Sequence, residues 1–253
     1  MVGQVIREAL GLYRRLFRSL VVASFLIFLP LTIAMLALQL AVPDTTRTQQ
    51  SLAIIDAVGS VLLFAPLASI VIIRCAIAAE QTGSARARKE VGPAFALLVP
   101  YVVTQLLVLL VIVALPGLLI AAGYATGSPT IMTMGVGVLL ASALLNGVRL
   151  TVATVAVVTG DARNALALRR SAGLTRGNWL RTLGVLVALT LIALVIALTV
   201  SSVGLAFPSG RAQDVGTSIF GLIGNALTVP IVALGSYRLY RVLEAQASAR
   251  RAA

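Results

Sequence analysis

The chain has 253 residues, 59% of them hydrophobic and only 11% charged, with a formal net charge of +12. A soluble domain carries about a quarter charged residues, so a water-soluble fold of this length has too little interior to hide the apolar surface. There is no His and Cys75 is the single Cys, which excludes an intrachain disulfide and leaves zinc or iron–sulfur ligation without a ligand set.

The sequence therefore reads as an all-α, polytopic membrane helix bundle with six transmembrane helices plus interfacial amphipathic helices. Residues 1–253 form a single integral membrane domain, because no polar stretch is long enough for a second one. Its basic residues fall in short segments between apolar runs, not in a stripe on one soluble face. That pattern marks membrane topology and argues against a nucleic-acid partner.

The first element is the stretch 1–18. Val2, Val5, Ile6, Ala9, Tyr13, Leu16 and Phe17 recur at helical spacing, with Gln4, Arg7, Glu8, Gly11, Arg14, Arg15 and Arg18 on the other face. This predicts an amphipathic helix lying in the membrane surface, with Arg7, Arg14, Arg15 and Arg18 against anionic headgroups. The competing reading is a cytoplasmic extension of the first span. The run that follows is too long for a signal-peptide h-region.

Crossing about 30 Å of hydrocarbon takes about 20 apolar residues. Six regions qualify: Ser19–Val42, Leu52–Ala79, Ala94–Tyr124, Ile131–Val158, Thr182–Phe207 and Val215–Leu239. Prolines fall inside them at Pro30, Pro66, Pro100, Pro116 and Pro230, and Pro116-Gly117 is the expected break. Gly137 with Ala141, and Thr217 with Gly221 and Asn225, have the small-residue spacing of close helix contacts. Cys75 sits in an apolar run and reads as a packing residue.

Sixteen basic residues lie before, between and after these spans on one side, in the N-terminal stretch, the second and fourth loops and the C-terminal end. Arg47 and Arg211 lie on the other. The positive-inside rule then places both termini in the cytoplasm, and the reading is a bacterial cytoplasmic membrane protein. Within the fourth loop, 161–178 is expected to form a second surface helix. Asp161 would be its N-cap, Arg169, Arg170 and Arg176 its headgroup contacts, and Trp179 an interfacial aromatic. Arg7, Ala9, Leu10, Leu12 and Arg14 match Arg163, Ala165, Leu166, Leu168 and Arg170 at constant offset, with a weaker counterpart at Arg88-Lys89-Glu90-Val91. The chain is either three parallel repeats of a surface helix plus hairpin or a chance match among common residues.

Charges within spans are functional hypotheses by default. Arg74, near the end of its span, reads as a snorkelling side chain. Arg149 lies about nine residues inside the end of span four, on the order of 13 Å deep. With Asn146 on its face, and Asn225 and Gln105 in other spans, it would make a polar cluster suited to a phosphate or carboxylate headgroup. The alternative is ordinary interhelical hydrogen bonding.

The run Ala165-Leu166-Ala167-Leu168-Arg169-Arg170-Ser171-Ala172-Gly173-Leu174-Thr175-Arg176-Gly177-Asn178-Trp179 resembles the "A-L-x-R-S-x-x-L-x-R-G-x-W" stretch of the membrane domain associated with glycerophosphoryl diester phosphodiesterases. Ile6-Arg7-Glu8-Ala9-Leu10-Gly11-Leu12-Tyr13-Arg14-Arg15 and Pro116-Gly117 fit the same layout. Where many members carry a Glu before the motif, Val157-Val158-Thr159-Gly160-Asp161 stands here, and there is no room for the catalytic barrel. The resemblance implies a stand-alone membrane module without the hydrolase.

Glycine-rich phosphate loops, paired intramembrane carboxylates and histidine bases are absent from the sequence, so an enzyme and a bound cofactor are not expected. The leading reading is a non-enzymatic module that organises lipids or partners at the cytoplasmic leaflet. Its partners would be anionic lipids, with a protein partner or a second copy of the chain beside them. The alternative is a transporter or flippase-like protein for an anionic amphiphile, with Arg149 as counter-ion.

Overall fold

The computed structural model describes residues 2–42, 46–83, 86–207 and 211–252. Met1 and Ala253, the ends of the expected domain, lie outside them. The described chain is helical throughout: α1 (Val2–Ala41), α2 (Thr46–Gly59), a π turn (Ser60–Phe64), α3 (Ala65–Thr82), α4 (Ala87–Ala125), α5 (Pro129–Leu150), α6 (Ala153–Val158), α7 (Asn164–Thr175), α8 (Trp179–Leu205) and α9 (Arg211–Ala252). Six stretches are long and apolar enough to cross a membrane: Val2–Ala41, Gln50–Thr82, Ala87–Ala125, Pro129–Val158, Trp179–Leu205 and Val215–Arg250. They correspond one to one with the six spans expected. Helices are the outcome because a chain in hydrocarbon must satisfy every backbone N–H and C=O within itself.

The packing is built around α9, which runs between α1 and α8 and also touches α3; α4 and α5 form a hairpin against α3. The core is a seam of buried apolar residues including Leu20, Ile70, Ile72, Cys75, Leu189, Leu234 and Leu243. Outward faces carry exposed Leu, Val and Phe along α1, α4, α5 and α8, as a lipid-facing surface requires.

Several expectations change. The stretch 2–18 is not a separate surface helix: it is the opening of α1, one helix of 40 residues. At 1.5 Å per residue that is about 60 Å, twice the hydrocarbon thickness. Its apolar stripe of Val5, Ala9, Leu12 and Leu16 is buried within the protein core and continues directly into Leu20 and Ala23. The first breaker is Pro30, so nothing at Arg18 ends the helix. The counterpart at Arg88 likewise opens α4, whereas the third, α7, stands apart from α8. Gly177, at φ 78°, makes that separation. The three stretches therefore differ in their leading helix: two open a span directly, and α7 alone of the three is a separate element.

Nor does the chain break at Pro116-Gly117, through which α4 runs uninterrupted with Pro116 buried. The breaks lie elsewhere. In the π turn, Ala65 N–H bonds to Ser60 O. The next carbonyl, Val61 O, then faces Pro66, which has no N–H to give. Gln105 Nε2 of α4 donates to that carbonyl at 3.2 Å. Gln105→Leu is accordingly expected to cost about 1 kcal/mol, read as a lower thermal midpoint in detergent; an unchanged midpoint contradicts this role.

The fourth span breaks at Thr151-Val152, between α5 and α6. The freed carbonyl of Arg149 accepts a hydrogen bond from Ser171 Oγ of α7 at 2.7 Å. Helix α7 is thus a packed plug over the broken span, with Ala167, Ser171, Leu174 and Thr175 buried. Close glycine contacts also differ from those expected. A Cβ at Gly137 or Gly221 would meet nothing within 4 Å, whereas one at Gly135 would sit 2.9 Å from Ile120 N. Gly204 packs on the Thr217 backbone and Gly235 on the Leu189 side chain.

Candidate functional site

The carboxylates nearest the Arg-rich end of the bundle serve as internal struts. Arg238 of α9 bridges Glu80 of α3 at 2.9 Å and Glu8 of α1 at 3.8 Å. Tyr237 Oη donates to Glu80 at 2.6 Å. Arg74 pairs with Glu90 of α4 at 2.8 Å, so its positive charge is neutralised within the protein instead of snorkelling.

A second knot fastens α7 to α9. Arg170 reaches Glu244 at 2.7 Å and Tyr240 Oη at 2.8 Å, with Asp161 at 3.6 Å. Tyr240 Oη in turn donates to Asp161 at 2.6 Å. Asp161 is therefore not the N-cap of α7; Arg163 holds that position without a side-chain cap bond. Burial on its own pushes the Asp161 carboxyl up. The Thr159 and Tyr240 hydroxyls, with the Arg170 and Arg241 charges, outweigh it and hold the group below the ordinary carboxylate range. Arg170 is also removed from the set of headgroup contacts, since its guanidinium is engaged inside the protein.

Neutralising the acids this way leaves basic residues facing outward. Arg7, Arg14, Arg15 and Arg18 on α1 are exposed, as are Arg169 and Arg176. Two hollows flank α7. One, of about 670 Å³, has Arg169, Arg170 and Arg250 in its lining but also Asp161. The other, of about 620 Å³, is lined by Arg149, Arg176, Thr175 and Trp179 and contains no carboxylate among the described residues. In this second hollow the two guanidiniums come from the last turn of α5 and from the residue that caps α7. The Trp179 indole N–H, buried at its wall, has no acceptor among the described residues.

The depth of Arg149 changes with the break in span four. The 22 residues of α5 measure about 33 Å and suffice to cross the hydrocarbon on their own. Arg149 occupies the last turn of that helix, where a cation also faces the negative end of the helix dipole. It is exposed, and no ion pair among the described residues uses it.

The polar cluster expected around Arg149 does not assemble. Asn146 donates to Ser142 Oγ of its own helix at 3.2 Å. Gln105 is occupied at the π turn, and Asn225 lines a different hollow between α1, α2 and α9. Shared helical spans place residues at similar depth but say nothing about which faces meet. Sequence reasoning missed the knot of Tyr237, Tyr240 and Glu244, although their spacing marks one polar-tipped face of a long helix.

Comparison with family models, curated proteins and solved structures finds no match to this chain.

Proposed function

We propose that this protein is a non-enzymatic module of the bacterial cytoplasmic membrane, with both termini in the cytoplasm, that holds an anionic lipid headgroup at the inner leaflet. The observation that carries the reading is the hollow beside α7, where Arg149 and Arg176 share one lining with no carboxylate among the described residues. A guanidinium offers paired N–H donors that match a phosphate. Each basic residue near an anionic membrane surface adds about 1 kcal/mol of attraction. The outward Arg7, Arg14, Arg15, Arg18 and Arg169 extend the same positive surface, on which an acidic protein partner or a second copy would also assemble.

The stretch that resembles the phosphodiesterase-associated membrane domain, Ala165 to Trp179, also supplies most of this hollow's wall. That coincidence supports a lipid-facing role for the module without the hydrolase. Transport of an anionic amphiphile is the second reading, favoured by the interruption of span four next to Arg149, since broken helices line transporter sites.

The test is native mass spectrometry of gently extracted protein reconstituted with phosphatidylglycerol and phosphatidylcholine. Wild type is expected to retain phosphatidylglycerol preferentially. Arg149→Leu combined with Arg176→Leu is expected to lower that retention at least tenfold while elution on size exclusion stays monodisperse. Equal retention by the double variant sinks the proposal. Flux of a labelled anionic lipid across proteoliposomes, lost in Arg149→Leu alone, selects the transport reading.

A further inference from the structure

Towards the opposite end of the bundle, α1, α2 and α9 enclose a hollow of about 300 Å³ whose lining includes Asp56, Asn225, Gln39, Thr32, Ser60 and Ser218. We propose that this hollow is a binding site for a small organic ammonium compound, with Asp56 as its counter-charge.

A polar lining of this kind is costly within a membrane-spanning stretch. Asp56 stands six residues after Gln50, where a stretch long and apolar enough to span a membrane begins, on the order of 9 Å along it. Polar side chains at hydrocarbon depth are unfavourable unless they are satisfied or wet. Two of these are satisfied locally: Thr32 Oγ donates to Phe28 O at 3.2 Å, and Ser218 Oγ donates to Gln39 Oε1 at 3.3 Å. Asp56 and Asn225 are both exposed, and neither has a hydrogen-bond or ion-pair partner among the described residues.

Charge then selects the sign of the ligand. The protein carries +12 overall, yet among the described residues the lining of this hollow has one carboxylate and no basic residue. Glu8, Glu80, Glu90, Asp161 and Glu244 are each neutralised by an Arg. Asp56 differs from all five, and its environment suits a cation.

Size and chemistry narrow the class further. A single water needs only about 10–15 Å³ of such space, so the hollow is many waters in size, and a bare alkali ion would leave most of it unfilled. An ammonium group brings up to three N–H donors. The Asp56 carboxylate, the amide oxygens of Asn225 and Gln39 and the Ser60 hydroxyl are acceptors for them. Phe28 and Met35 give the organic body an apolar wall. Ser60 also opens the π turn, a local widening of the helix of the kind frequent at functional sites.

Equilibrium dialysis of radiolabelled n-butylammonium against the full chain in phosphatidylcholine nanodiscs tests this, with ionic strength held constant. Wild type is expected to show one saturable site that excess NaCl or KCl does not empty. Asp56→Asn is expected to weaken binding at least tenfold, Asn225→Leu severalfold, and Asp56→Glu to retain it. Because Asp56→Glu keeps the charge, it separates loss of the ligand contact from loss of the fold. The proposal is overturned by an absence of saturable binding, by equal affinity in Asp56→Asn, or by full displacement with either alkali chloride. The Arg149 and Arg176 variants leave this result untouched, so the two sites stand or fall separately.

Discussion

Gly135→Leu is expected to separate α4 from α5 and to lower stability by about 3 kcal/mol. The reason is where a new Cβ would fall. It would lie 2.7 Å from Ile120 Cγ1, 2.9 Å from Ile120 N and 3.2 Å from Leu119 Cβ. A side chain can rotate away, but a backbone nitrogen within a 39-residue helix moves only with that helix. In lipid the close approach is the main source of affinity between helices, since hydrocarbon rewards no apolar burial.

The matched control is Gly137→Leu, two residues along the same helix. A Cβ there meets nothing within 4 Å, and the residue is exposed. That variant is expected within about 0.5 kcal/mol of wild type. Thermal unfolding in a single mild detergent, followed by size-exclusion fluorescence, compares the pair. Similar midpoints for both variants would contradict this packing.

The second large effect is expected at Arg170. One guanidinium there engages Glu244, Tyr240 and Asp161 together, so it is a main charged tie between α7 and α9, beside the bond from Arg250 to Arg176 O. Arg170→Met leaves Asp161 and Glu244 near each other with only Arg241, 3.5 Å from Glu244, as a remaining counter-charge. Removing one partner of a buried pair costs about 3–5 kcal/mol. Here the side chains are about one-third exposed, 32% for both Arg170 and Asp161, so solvent screening reduces the expected loss to about 2 kcal/mol.

The pH dependence of this knot has a defined sign. The folded Asp161 carboxyl lies below its ordinary value, while the unfolded value is about 3.9. Its contribution is therefore fully present above the unfolded value and is lost as pH falls through the lower, folded one. In Arg170→Met the folded value rises, so this share of stability shrinks at neutral pH, and the remaining acid loss still begins near the unfolded value but is complete at a higher pH. Midpoints measured from pH 7 down to pH 3 check the prediction; parallel curves for wild type and variant would refute it. Because α7 also walls the hollow with Arg149 and Arg176, loosening it is expected to weaken headgroup retention as well.

The sequence by itself determined the class of the protein, the number of candidate spans and which end of the bundle is basic. These follow from local quantities. About 20 apolar residues in a row define a crossing, and a backbone that must satisfy itself in hydrocarbon has only a helix to form. The positions of Arg between those runs are equally local. The tertiary structure decided everything that depends on pairing across the chain. Tyr237 meets Glu80 and Tyr240 meets Asp161 only because α9 lies beside both α3 and the start of α7. Arg18 does not end a helix, because the stripe from Val5 to Leu20 is buried without interruption. Span four breaks at Thr151, where no proline or glycine marks it, because Ser171 of α7 accommodates the freed carbonyl. Gln105 donates to the Val61 carbonyl of the π turn, which Pro66 has no N–H to satisfy, a pairing visible only once the π turn and α4 are side by side. Periodicity fixes which face of a helix is apolar, but packing fixes what that face meets.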